Sequence, residues 1–306
     1  MRPRLGLGAA PLGNLYEPVS EAEARATVDA AWDAGIRDFD VAPLYGHGLA
    51  ERRLGDALRD RPRDQYRIST KVGRLLVEGR DEESIFIDVP ALRPVFDFSY
   101  DGVMGSFEAS LERLGLDRID TLLVHDPDDF GDQALAGAFP ALRRLRDEKV
   151  VSSIGAGMNQ APMLCRFVRE ADIDCVLVAG RWTLLDRRAG EELLPLCQER
   201  GVEVVVGGVF NSGLLAQPST GATFDYAAAS PELVEAARRL ESECRAAGVD
   251  LVTAAVRFPA RHPAVTTVLV GARSATEVQA NAAAFTADVP ERLWDRLDRL
   301  VTGQPG

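Results

Sequence analysis

Eight short apolar runs, at 5–8, 38–42, 66–71, 121–125, 151–156, 175–179, 203–207 and 266–270, are spaced along the chain by longer stretches with helical periodicity. The helical stretches fall at 20–34, 49–59, 102–114, 133–147, 160–170, 187–200 and 231–247, with further ones at 250–260, 275–285 and 290–301. A strand apolar along its whole length must be covered on both faces, and a helix after each strand makes the pairing parallel. Eight such units in 306 residues suit a closed (β/α)8 TIM barrel better than an open doubly wound sheet. No linker, repeat or low-complexity stretch interrupts them, so 1–306 reads as one α/β domain. Local signals agree with this reading. Ser20 stands three residues before Glu23, Ser230 precedes Pro231, and Gly35, Gly115, Gly201 and Gly248 follow helix ends. Two connections are long, 73–98 and 210–229. Both follow strands, which in a barrel places them at the C-terminal face with the chemistry, as lids or disordered segments.

Composition narrows the function. A net charge of −12 repels nucleic-acid backbones and anionic membranes, so neither is an expected partner. No stretch approaches about 18 uncharged apolar residues, and the first residues lack the apolar core of a signal peptide. The four cysteines never form C-x-x-C and only three histidines are present, so no metal site is expected. Reduced thiols and a cytoplasmic location are the simplest expectation. Oligomeric state is left open. Of the 35 Lys and Arg residues only Lys71 and Lys149 are lysines.

The ends of the early strands carry the chemistry. The second run leads through Asp40 to Tyr45, the third ends in Lys71, and the fourth ends in His125. These residues come from adjacent strands of the expected barrel, at the face where barrel enzymes work. Each has a bland alternative as a rim or turn residue. Together, a carboxylate, an ammonium, a phenol and an imidazole satisfy one another and do acid–base chemistry. Lys71, held by Asp40, is expected to lower the Tyr45 phenol and make it a proton donor or acceptor toward a carbonyl–alcohol pair. His125 would orient the same oxygen. The accompanying hydride needs an acceptor that side chains cannot supply, which implies a nicotinamide cofactor.

With these residues in place the chain resembles the aldo-keto reductase superfamily. Phe39-Asp-Val-Ala-Pro-Leu-Tyr-Gly46 is similar to its D-T-A-x-x-Y-G element, and Ser69-Thr-Lys-Val and Leu123-Val-His to its lysine and histidine segments. The likeness runs from Leu5 through Asn281. A narrower likeness, to the sugar-oxidising branch that includes D-threo-aldose 1-dehydrogenases and pyridoxal 4-dehydrogenases, lies in five segments. They are Ala9–Tyr16, Asp97–Gly102, His125–Asp128, Gly155–Gln160 and Gly208–Leu215.

The resemblance implies Tyr45, Lys71, Asp40 and His125 as the catalytic set. For the cofactor it implies Gly8 and Ala9 at the first strand and Met158 or Asn159 at the carboxamide. Gly208, Val209, Phe210, Ser212, Gly213 and Leu215 would form the pyrophosphate loop. Gly271, Arg273, Ser274, Glu277, Gln279 and Asn281 would form the adenosine end. NAD is favoured over NADP because Glu277 would repel a 2′-phosphate, while Arg273 keeps the opposite case open. Two departures stand out: the family's carboxamide-facing Gln is Ala179 here, and its nicotinamide-stacking Tyr is Gly207, which makes Trp182 a candidate to cover that ring. Asn14, Tyr16, His47, Asp126 and Trp182 are the expected substrate residues.

The implied reaction is oxidation of the C1 hydroxyl of an aldose such as L-fucose, L-galactose or D-arabinose to the lactone. Alternatives are an NADPH-dependent aldehyde or ketone reductase, a pyridoxal 4-dehydrogenase, or a nucleotide-sensing regulatory subunit with little turnover. In each enzymatic reading the partner is a small sugar or carbonyl substrate.

Overall fold

The computed structural model describes residues 3–302, so the first two residues of the segment read above for a leader lie outside the described residues. Eight parallel strands form a closed barrel: β1 (Arg4–Gly8), β2 (Asp38–Asp40), β3 (Arg67–Val72), β4 (Thr121–His125), β5 (Ser153–Met158), β6 (Cys175–Ala179), β7 (Glu203–Gly207) and β8 (Val265–Gly271). Each pairs with its neighbours in sequence, and β8 closes on β1 from Arg4 opposite Thr267 to Gly8 opposite Gly271. Three of the eight expected strand ranges coincide with the observed ones.

The departures have local causes. β2 pairs with β3 as far as Asp40 opposite Ser69, where Val41 N–H makes the last ladder bond to the Ser69 carbonyl. β5 starts two residues late because the amides of Ser152 and Ser153 are both taken by the Asp120 carbonyl. The Ser20 hydroxyl accepts from the Glu23 amide while the Glu23 carboxylate accepts from Ser20 N–H, a complete capping box. The third helix begins at Tyr100, two residues early, because Ser99 caps it. The stretch 133–147 is broken by a π turn at Ala134–Ala138, and the α-helical part of 187–200 is Leu193–Arg200.

The main core lies between barrel and helices, and a small second layer of Leu123, Cys175, Leu177 and Leu269 fills the barrel lumen. Among the described residues no helix is long and apolar enough to cross a membrane.

The two long connections are ordered. Within 73–98, Arg74–Glu78 pairs antiparallel with Leu92–Phe96. The chain between them folds back onto the loop after β1, where Leu15 bridges Phe86 and Tyr16 N–H donates to Ile85 O at 3.0 Å. The arm 210–229 carries a small hairpin, Thr223–Phe224 with Ala227–Ala228.

Candidate active site

Parallel register brings Asp40, Lys71 and His125 to one end of three consecutive strands. Lys71 is 1% exposed, and its Nζ donates to Asp40 Oδ1 at 2.6 Å and to the Val41 carbonyl at 2.9 Å. Ser69 donates to the other Asp40 oxygen at 2.6 Å, so the carboxylate is held on both sides. Burial disfavours the Lys71 ammonium, but the Asp40 carboxylate outweighs burial and holds Lys71 charged above the usual lysine range. Gly157 lies alongside the lysine, where a Cβ would stand in ordinary contact 3.5 Å from Lys71 Cε.

Tyr45 lies over this pair, its ring centroid 4.7 Å from Lys71 Nζ. His125 meets the Tyr45 ring edge-on at 5.9 Å, and Phe86 packs on Tyr45 at 6.1 Å. The expectation that Lys71 lowers the phenol is reversed in net effect. Burial raises the Tyr45 pKa, Lys71 opposes it, and the Asp40 charge adds to the rise. His125 is held well below its ordinary value by burial, then by the Arg74 and Lys71 charges, so it is neutral at physiological pH. Its Nε2 lies 3.4 Å from Asp126 Oδ2, and Arg74 Nη2 donates to that same oxygen at 3.0 Å. Arg74 comes from the hairpin after β3, and the sequence offered no motif for it.

A cavity of about 360 Å³ opens above Tyr45 and Asp40 and runs toward β8. Of the expected cofactor residues, Gly8, Asn159, Gly208, Val209, Phe210, Ser212, Gly213, Gly271, Arg273 and Glu277 line it, so between Met158 and Asn159 it is Asn159 that faces the cavity. Met158, Ala9 and Leu215 are instead core residues, at most 1% exposed. The Ser274 hydroxyl accepts from Glu277 N–H and caps the helix Ala275–Thr286, and Gln279 is exposed on that helix. Asn281 is buried in a crevice behind β8 beside Leu5 and Val278. Sequence reading missed Asn211, Asp225 and Tyr226 in the lining.

Only Tyr16 among the expected substrate residues lines the cavity. Asn14 is buried, accepting from Val19 N–H and Arg53 and donating to the Ile87 carbonyl. His47 is 2% exposed, and its Nε2 faces Ser84 and Asp81 at 3.3 and 3.4 Å, anchoring the strap 79–91. Asp126 is engaged by Arg74. Trp182 packs on Phe258 at 4.9 Å and donates to the Pro259 carbonyl, away from the lining, so it does not cover the cavity floor.

The cavity fits a dinucleotide on its own geometry. Asn211, Ser212 and Gly213 have φ of 47°, 57° and 100°, a run of left-handed backbone that curls the loop after β7 along the cavity wall. The buried Asn211 amide oxygen has no partner, and Ala179 and Gly207 sit side by side as a flat floor. No group of His, Cys, Asp or Glu side chains among the described residues could hold a metal.

A buried acid–base pair beneath a tyrosine, at the C-terminal mouth of a (β/α)8 barrel and beside a cavity of about 360 Å³, suits an NAD(P)-linked oxidoreductase site. The chain belongs to the aldo/keto reductase family, whose profile matches residues 4–302. It is 44% identical to a pyridoxal 4-dehydrogenase of Microbacterium luteolum, over 96% of this chain and 92% of that protein. It is 45% identical to a D-threo-aldose 1-dehydrogenase of a Pseudomonas species, over 96% and 93%. Among solved structures, an aldo-keto reductase from Bacillus halodurans in its holo form superposes with a TM-score of 0.78 at 26% identity, covering 97% of this chain and 91% of that one.

Proposed function

We propose that the protein is a dehydrogenase that oxidises the C1 hydroxyl of an aldopyranose, such as L-fucose, L-galactose or D-arabinose, to the lactone, with NAD preferred over NADP. The observation that carries this reading is Tyr45 standing at the cavity floor over the buried Lys71–Asp40 pair. A bound nicotinamide supplies the hydride acceptor. As the phenolate, which the Lys71 ammonium favours, Tyr45 takes the hydroxyl proton on Oη and becomes the phenol as the C1 hydrogen departs with its electron pair. Neutral His125 and the Arg74–Asp126 pair fix the ring edge against which Tyr45 rests.

The cofactor preference is supported by what surrounds Arg273. Its guanidinium lies 2.7 Å from Glu17 and 3.7 Å from Glu277, so two carboxylates already occupy the cation that a 2′-phosphate would need. Four free, buried cysteines support a reducing, cytoplasmic setting.

A second reading, carbonyl reduction with NADPH or NADH, is favoured by one observation. The raised Tyr45 pKa keeps the phenol protonated at neutral pH, which suits a proton donor.

Turnover of L-fucose, L-galactose, D-arabinose and pyridoxal with NAD⁺ and NADP⁺, beside aldehyde reduction, separates the two. Y45F is expected to lose about 10²–10⁴-fold in kcat while its NADH affinity, read by fluorescence, stays near that of the parent. A Y45F enzyme with full turnover would remove Tyr45 from the chemistry.

A further inference from the structure

The arm 210–229 ends in a two-residue turn whose geometry is unusual for its residues. Asp225 and Tyr226 occupy the centre of the hairpin with φ of 49° and 64°. A turn with both central residues left-handed ordinarily uses Asn-Gly or Asp-Gly, because a bulky side chain is strained there. The tip is nonetheless fixed at three points. Asp225 accepts both ends of a forked pair from Arg181, each at 2.8 Å. Tyr226 N–H donates to Ser212 Oγ at 3.1 Å, and Thr223 Oγ1 donates to the Ser212 carbonyl at 2.6 Å. Arg181, which follows β6, is mostly buried and also faces Asp186. The anchors therefore join the arm after β7 to the loop after β6 and leave the Tyr226 side chain nothing to do within the arm itself.

That side chain lines the cavity although half of its surface is open, at 50% exposure. Its hydroxyl has no hydrogen-bond partner among the described residues, and burial raises its pKa, with Tyr45, Asp126 and Tyr16 adding to the rise and Lys71 opposing it. Tyr45 and Asp126 belong to the same side of the barrel mouth, in the connections that follow β2 and β4. The arm thus brings a phenol ring from beyond β7 into the lining of the cavity that Tyr45 and Tyr16 also line. Tyr16, the other exposed tyrosine in the lining, also has left-handed backbone, φ 63°, and is tied down through Ile85. Two strained, anchored tyrosines at one mouth offer ring faces and free hydroxyls, the surface that a six-membered ring bearing hydroxyl groups fits.

We propose that Tyr226 is a specificity-determining residue that covers the substrate ring above Tyr45, stacking on its apolar face and bonding a ring hydroxyl through its own, with the Arg181–Asp225 pair as the positioning clasp. This rests on the ring-substrate reading above and deepens it.

The test compares the parent enzyme with Y226A, Y226F and D225N, using L-fucose and pyridoxal as ring substrates and glyceraldehyde as an open-chain one. NADH affinity is read by fluorescence titration. The ratio of ring to open-chain kcat/KM should fall about tenfold or more in Y226A. The loss should appear in KM rather than kcat, with a smaller loss in Y226F. D225N should move the ratio in the same direction, and NADH affinity should shift less than about threefold in all three. Should Y226A fold poorly, by its melting temperature, Y226F and D225N carry the comparison alone. An unchanged ratio, with the parent turning over ring substrates, overturns the role of Tyr226 and leaves the dehydrogenase reading standing. A loss confined to NADH affinity overturns it too, by making Tyr226 a cofactor cover. A parent enzyme inactive on both rings but active on glyceraldehyde overturns the ring-substrate reading and the proposal with it.

Discussion

The floor and the rim of the barrel mouth are built on different principles. The floor is set by strand register: Asp40, Lys71 and His125 are each at most 5% exposed and sit where parallel hydrogen bonding leaves them no freedom. The rim is set by cross-links between loops far apart in sequence. Examples are Leu15 to Phe86, His47 to Asp81, Arg74 to Asp126 and Arg181 to Asp225. The floor is a buried charge pair that tolerates almost no change, because removing one partner strands the other without solvent. The rim mixes a backbone bridge, a buried histidine and half-buried ion pairs, so no single link holds it.

Substitutions should follow that division. The largest effect is expected for Lys71→Arg at the floor. The charge is kept, but a guanidinium is larger than an ammonium and forks its donors, so it cannot repeat the bonds to Asp40 and Val41, and kcat should drop by about 100-fold or more. A variant with parental turnover would break the distinction between floor and rim.

Next is pH. The Tyr45 pKa is raised, so the phenol is the dominant form through neutrality and the phenolate grows only as pH rises past its ordinary range. kcat/KM for oxidation should climb steadily from pH 7 toward 10, while the reductive rate should stay level and fall only at high pH. His125 is lowered well below 6.5, so neither profile should show a histidine limb between pH 6 and 8. A plateau in the oxidative profile that begins near neutrality would contradict the raised phenol.

At the rim, the double change Glu17→Gln with Glu277→Gln frees Arg273. The ratio of NADP⁺ to NAD⁺ dissociation constants should move toward NADP⁺ by about tenfold. An unmoved ratio would show that neither carboxylate governs the choice.

The smallest effect belongs to the second lysine. Lys149 sits in an exposed turn with φ of 60° after the helix Phe139–Asp147 and forms no ion pair among the described residues. Lys149→Arg should change unfolding free energy by less than about 0.5 kcal/mol. A larger change would mean that the two lysines differ less than their surroundings imply.

Much of the floor was legible in the chain. Strand ends can be read from where apolar runs stop, and residues at adjacent strand ends must converge in a closed barrel, so Asp40, Tyr45, Lys71 and His125 could be grouped before any coordinates. The rim was not legible, for an identifiable reason. Whether His47 faces the cavity or a loop depends on where 79–91 lands, and nothing local to Pro43–Gly48 encodes that. Trp182 looked available as an aromatic near a strand end, yet Gly190 leaves room for its ring and Pro259 takes its N–H. Arg74 and Asp225 carried no signal because their partners lie 52 and 44 residues away.

The sequence by itself determined the barrel, its strand order and the four residues at its floor. Periodicity and parallel register are short-range properties that a chain writes down directly. Only the tertiary structure decided that burial raises Tyr45 despite Lys71. It also decided that Asn14 and His47 brace loops instead of facing the cavity, and that Tyr226 lines it. Desolvation and loop cross-links depend on the sum of everything packed around a group, which no single stretch of sequence contains.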